Sequence, residues 1–135
     1  MCIRDRFSTA RSFVRGTSSG ARATNNFNGG VLQARANNAT FMTGLTAANV
    51  RNGGAIIDDG GFAITIGQPL VHSTITGDNA IDGGLTKTNT GTLTLTGANT
   101  YNGNTLVSQG QLIINGILGA NNANTIVMAL SLIHI

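Results

Sequence analysis

The run Gly91-Thr92-Leu93-Thr94-Leu95-Thr96-Gly97 alternates strictly between threonine and leucine and is closed at both ends by glycine. In an extended chain successive side chains point to opposite faces, so Leu93 and Leu95 share one face and Thr92, Thr94 and Thr96 the other. β-Branched threonine suits a pleated surface, and the flanking glycines mark turns that call for positive φ. A second alternating run, Leu106 to Ile114, places Leu112 and Ile114 on one face. Between the two runs, Gly97-Ala98-Asn99 and Asn102-Gly103-Asn104 read as turn clusters. Two strands this short cannot bury an apolar face alone, so the chain has to supply neighbours of the same kind.

Weaker echoes of the plan lie upstream. Gly53-Gly54-Ala55 through Gly60-Gly61-Phe62-Ala63-Ile64-Thr65-Ile66-Gly67 repeats the order of glycine pair, strand, glycine, strand and glycine found from Gly83-Gly84-Leu85 to Gly97. Phe62, Ile64 and Ile66 align there with threonines, which implies a one-residue register change or a bulge. Asn25-Asn26-Phe27-Asn28-Gly29 echoes Asn99-Thr100-Tyr101-Asn102-Gly103 in the same way. Self-similarity at roughly 20–50 residues marks a solenoid or array, with a Gly/Thr-rich β-sandwich as the alternative. Only Ala36 to Val50 has helical flavour: Ala39-Thr40-Phe41-Met42 and Leu45-Thr46-Ala47-Ala48 read as a short helical turn leaving the solenoid, interrupted by Gly44.

Charged residues make up 10% of the chain, with no glutamate and no tryptophan, which is too few for a solvated helical surface. The regular apolar alternation argues equally against disorder, leaving an all-β, turn-rich protein. The net charge of +3 rests on scattered arginines, Arg11, Arg15, Arg22, Arg35 and Arg51, without interleaved aromatics, so no nucleic-acid partner is expected. No apolar run reaches the ~18 residues of a membrane-spanning helix.

The pattern Gly83, Gly84, Leu85 and Lys87, then Gly91, Thr92, Leu93, Leu95, Gly97, Asn99, Thr100, Tyr101 and Gly103, then Thr105, Val107, Gly110 and Leu112 resembles the autotransporter-associated β-strand repeat, also called the passenger-associated transport repeat. Many fixed spacings are met over about a quarter of the chain. Asn104 departs from the family, which often has a second glycine or small residue there, and is not expected to disturb the turn. Phe27 to Leu70 resembles the region upstream of such repeats. The resemblance implies a right-handed parallel β-helix within the secreted passenger of a large Gram-negative surface protein. At ~4.8 Å per coil, ~120 residues build about five coils and a rod of roughly 25 Å. Leu85, Leu93, Leu95, Val107, Leu112 and Ile114 are expected inside it, with Phe62, Ile64 and Ile66 one or more coils away.

The implied role is a structural, non-enzymatic repeat supporting export across the outer membrane and surface display. Its implied partners are neighbouring coils of the same parent chain and a C-terminal outer-membrane translocator barrel. The implied location is secreted or at the cell surface, attached to the outer membrane through the parent, and no cofactor is expected. Two other classes remain open: an adhesin-type binding surface on the outer Thr/Asn face, and a polysaccharide-active β-helix enzyme.

Sites for chemistry are sparse. A calcium cluster would have to draw on Asp58-Asp59, Asp78 and Asp82, but Asp58-Asp59 precede Gly60-Gly61 and Asp78-Asn79 follow Gly77, turn settings where aspartate caps its own backbone. His72 beside Ser73 and Thr74 lacks a readable third member for nucleophilic catalysis and is expected in solvent or a loop. Asn38-Ala39-Thr40 fits a glycosylation sequon, which carries little weight in a bacterial surface protein.

The two ends form an inverted repeat at the codon level. Leu130-Ser131-Leu132-Ile133-His134-Ile135 can be written CTG TCT CTT ATA CAC ATC, whose reverse complement, read from its second base, encodes Met1-Cys2-Ile3-Arg4-Asp5 and the start of Arg6. This resembles a transposase mosaic end used to fragment DNA for sequencing. Residues 1–6 and 130–135 are therefore expected to be adaptor translation, and 7–129 a β-helix passenger fragment with the transport repeat at 83–116. Cys2, the single cysteine, falls in the adaptor, so no disulfide framework is expected.

Overall fold

In the computed structural model the described residues are 2–3, 6–16, 19–119, 126–128 and 131–134, with side chains described for 6–16 and 19–119. Among them every regular element is a strand, and every pairing between strands is parallel. The first coil holds β1 (Cys2–Ile3) and β2 (Arg6–Thr9), the second β3 (Thr24–Phe27), β4 (Val31–Ala34) and β5 (Asn38–Met42). The third holds β6 (Ala47–Val50), β7 (Ala55–Asp58) and β8 (Ala63–Ile66); the fourth, β9 (Val71–His72), β10 (Leu85–Thr88) and β11 (Thr92–Leu95). The fifth holds β12 (Ala98–Asn99), β13 (Thr105–Val107) and β14 (Gly110–Ile114), and the sixth β15 (Ile117–Leu118), β16 (Ile126–Met128) and β17 (Ser131–His134).

Strands at equivalent places in successive coils stack into sheets. One face runs β1-β3-β6-β9, a second β16-β13-β10-β7-β4-β2, a third β17-β14-β11-β8-β5, and β12 pairs with β15. This is a parallel β-helix. Six strands on the second face make five coil-to-coil steps. The expected adaptor segments supply β1 and β17, while residues 1, 4, 5, 130 and 135 lie outside the described residues. An open parallel edge accepts any extended segment.

Alternation within each strand sends one set of side chains into the coil. Met42, Ile66, Leu95 and Ile114 form one inward column, and Ile64, Leu93 and Leu112 the next. On the second face Leu32, Ile57, Lys87 and Val107 are stacked in register. Burying Leu-sized side chains gives about 1.5–3 kcal/mol each, and these columns supply the main driving force.

Coil length varies. Ala55 stands beside Leu85 and Leu85 beside Thr105, so successive coils take 30 and then 20 residues. The extra residues of the long coil form a surface loop between β9 and β10, while the strand register is kept.

Several local expectations are corrected. Ile64 and Ile66 align with Leu93 and Leu95, and Thr65 with Thr94, so this pairing has no register change. The extra residue sits in the corner before Ala63, where Gly60 and Gly61 both adopt positive φ (64° and 85°) and shorten nothing in the strand. Phe62 belongs to that corner and packs against the core from outside instead of filling it. A real irregularity occurs one coil earlier, between β5 and β8. The segment 36–50 contains β5 and β6 and no helical turn, with Gly44 at a left-handed corner (φ 68°). Leu106 to Ile114 is two strands, broken by a corner at Ser108-Gln109 before Gly110 (φ 71°).

The Asn25–Gly29 echo is offset by one residue. Gly29, Gly54, Gly84 and Asn104 share a corner, as the bonds Gly29 N to Gly54 O (3.0 Å), Ala55 N to Gly84 O (2.8 Å) and Leu85 N to Asn104 O (3.0 Å) establish. Asn104 takes this corner without the positive φ of the three glycines. A Cβ on Gly54 would lie 2.6 Å from the Gly83 carbonyl oxygen, at a φ of 75° that alanine resists. Gly54→Ala is expected to cost about 2 kcal/mol or more in denaturant unfolding. Gly16→Ala, with open space around it, is expected to change stability by less than about 0.5 kcal/mol.

Candidate functional site

Lys87 points inward on β10, stacked between Ile57 and Val107, and is 0% exposed. A charge at that depth requires complete coordination. Lys87 Nζ donates to the carbonyl oxygens of Asn89 (2.8 Å) and Gln109 (2.9 Å) and forms an ion pair with Asp59 Oδ2. Asp59, also 0% exposed, accepts on Oδ1 from the backbone N–H of Gly61 (2.9 Å) and Gly91 (2.8 Å). A Cβ on Gly110 would stand 2.8 Å from Nζ, so the ammonium is one reason for glycine there. One side chain thus ties the third coil, through Asp59, to the fourth and fifth.

Asn99 does the same at the next corner. Buried at 0% exposure, it accepts from Leu70 N (3.0 Å) and donates to Gly97 O (3.0 Å) and Ile117 O (3.2 Å), spanning fourth, fifth and sixth coils. Asp82 organises the glycine-pair corner. Its Oδ1 accepts from Gly84 N (2.8 Å) and Gly103 N (2.9 Å), and its Oδ2 accepts from Asn102 N (2.9 Å). Asn102 returns a contact through Oδ1 to Asp82 N (2.8 Å) and donates from Nδ2 to Ala80 O (2.8 Å). The Tyr101 hydroxyl meets Thr105 Oγ1 at 2.7 Å, with both residues buried.

The remaining pattern residues take three kinds of position. Leu85, Leu93, Leu95, Val107 and Leu112 point inward, and Gly83, Gly84, Gly91, Gly97, Gly103 and Gly110 lie at corners or at the turn-side end of a strand, against neighbouring backbone. Thr92 is half-buried, with its Oγ1 3.5 Å from Gln111 Oε1, and Thr100 is exposed while its N–H donates to Leu70 O (2.8 Å).

The possible catalytic groups do not converge. His72 lies on β9, not in a loop, and its Nδ1 is 2.9 Å from Asp82 Oδ2. Ser73 Oγ donates instead to Asp78 Oδ2 at 2.5 Å, so serine and histidine engage different carboxylates. Arg51 grips Asp78 through Nε (2.8 Å) and a second guanidinium nitrogen (2.9 Å), pinning the long surface loop. These bonds from Arg51 and then Ser73 hold the Asp78 carboxyl below its usual range. That contribution to stability is present above the ordinary carboxylate value and is lost as pH falls through the lowered one. Asp58 is engaged by Gln33 (2.8 Å), Asn89 (3.2 Å) and Gly60 N (2.9 Å). Among the described residues no group of three or more His, Cys, Asp or Glu could hold a metal. Two clefts of about 260 and 290 Å³, near Asn25 and Phe62, are lined by neither aspartate nor His72.

Sequence reasoning missed Asp59 and Asp82 as partners, reading Asp59 as a self-capping turn residue. They do cap Gly61 and Gly84, but each also reaches an adjacent coil. The signal available was the lone lysine in an inward strand position, which demands a buried acid somewhere.

Residues 85–114 match the family model described as the passenger-associated-transport-repeat. The chain is also 59% identical over 39 residues to the extracellular serine protease of Serratia marcescens, a match covering 29% of this chain and 4% of that protein. The chain therefore spans a small part of the curated relative it matches. No solved structure is matched. Residues 85–114 are thus similar to a passenger-associated transport repeat, and the match to the Serratia marcescens protein is confined to a short stretch.

Burial raises the Tyr101 hydroxyl from 10.0 to about 12, the Thr105 hydrogen bond opposing in part. Folded Tyr101 holds its proton where unfolded Tyr101 has lost it, so stability falls as pH rises from about 10 towards about 12. As Tyr101 is the single tyrosine, tyrosinate absorbance in the folded chain is expected to rise near 12 and not near 10. Tyr101→Phe is expected to remove this component of alkaline destabilisation.

Proposed function

We propose that residues 7–129 form a rod segment of a larger passenger, supporting its export across the outer membrane and its display at the cell surface. The observation that carries this reading is the investment of the repeat's polar residues in neighbouring coils: Lys87 and Asn99 each bind their own coil and both adjacent ones. Such residues serve stacking, and stacking outside the cell gives an emerging chain a reason not to return. Aliphatic columns supply the driving force and the staples keep each new coil in place.

The location that follows is secreted or cell-surface, with attachment to the outer membrane through the parent protein. The partners are adjoining coils of the same parent and its C-terminal translocator barrel. The segment itself is proposed to be non-enzymatic. The serine chemistry named for the Serratia marcescens relative belongs to that protein, of which the matched stretch is 4%.

The test is surface display of the parent passenger carrying Leu93→Asp and Leu95→Asp. Both leucines are fully buried, so the double substitution puts two unpaired charges in the coil interior. Display, read by external antibody labelling of intact cells, is expected to fall at least ten-fold while the translocator remains in the membrane. Labelling at the unmodified level would contradict the proposal.

A further inference from the structure

We infer that the Lys87–Asp59 pair selects the register of the solenoid, making the third coil, and not the second, the one on which the fourth stacks. This goes beyond a role in export and holds whether or not the segment drives it.

The hazard is built into the repeat. Coils share short parallel strands, alternating burial and glycine-pair corners, so a strand displaced by one whole coil still meets aliphatic side chains. Apolar burial alone discriminates poorly between such alternatives. The inward column Leu32, Ile57, Lys87, Val107 contains one charge. The register Gln33 to Asp58 makes Ala34 the counterpart of Asp59 in the second coil, and Asp58 to Thr88 makes Asn89 its counterpart in the fourth.

Each wrong neighbour therefore leaves an uncompensated charge. With β10 docked on β4, Lys87 would be buried beside Leu32 and Ala34, without a carboxylate. With β13 docked on β7, Val107 would take the place of Lys87 and Asp59 would be buried without an ammonium. Removing one partner of a buried pair is strongly destabilising, whereas replacing both by uncharged groups is often nearly neutral. A pair of this kind adds little net stability and much specificity, as a single buried polar residue does in fixing coiled-coil register.

Disulfide trapping in the full 135-residue chain, with Cys2→Ser, reads the register directly. Thr86 faces Ile56 in the native pairing, and Ile56 faces Val31. Cysteines at 86 and 56 thus report native docking, and cysteines at 86 and 31 report docking displaced by one coil. Strands two places apart are ~9.6 Å apart, beyond disulfide reach. The background variant is Lys87→Met with Asp59→Asn, which removes both charges and keeps an acceptor for Gly61 and Gly91. After refolding under oxidising conditions, the displaced 86–31 disulfide is expected to rise at least five-fold over the unmodified pair, with a matching loss of 86–56. A folded variant that traps only 86–56, even if less stable, would overturn the inference and leave the pair a structural contact. If that background gives no cooperative unfolding, Lys87→Gln with Asp59→Asn keeps a hydrogen-bonding pair without charge and is read the same way.

Discussion

Everything in this rod depends on one geometric constraint: the interior of each coil is closed only by the coils above and below it. A side chain that turns inward has no solvent to fall back on, and its partners must come from its own coil or an adjacent one. For leucine and isoleucine that requirement is loose, because any apolar neighbour of the right size will do. For Lys87 it is strict. Its ammonium donates to Asn89 O and Gln109 O and forms an ion pair with Asp59, and these partners are distributed over three coils.

The two kinds of interior residue divide the work. The aliphatic columns contribute stability in proportion to the area they remove from water. The buried polar residues contribute little net energy, since what they gain from each other roughly offsets what they lose by leaving water. Their value lies in the penalty for misplacement. Asn99 and Asp82 act similarly with backbone partners, and each satisfies corner N–H groups that strands leave unpaired. The polar residues of the transport repeat are thus where the chain states which coil comes next.

How far this was legible follows from the range of each interaction. Inward Leu93 and Leu95 were readable because alternation is local, and the repeat, matched over 85–114, because its spacings are fixed within one short stretch. The alignment of Phe62, Ile64 and Ile66 went wrong by one residue because glycines in a corner absorb an insertion without marking the strand. The helical flavour of 36–50 was an alanine-rich composition overruled by parallel neighbours on both sides, β3 and β9 for β6. His72 looked like a loop residue because its strand is two residues long and its carboxylate lies across the surface loop. That Lys87 needs a buried acid was readable, but not that the acid is Asp59. Its partner is in the next coil, and coil length changes from 30 to 20 residues within the same rod.

The most direct test of the account is the state of the Lys87 ammonium in the folded chain. Lys87 is the single lysine, so ¹⁵N-lysine labelling yields one side-chain ammonium resonance without assignment work. A buried ammonium with two carbonyl acceptors and a buried carboxylate partner is expected to give a sharp signal whose hydrogens exchange slowly and whose position is insensitive to salt. An ammonium resonance broadened by rapid exchange with water, as a solvated lysine gives, would contradict the account at its centre.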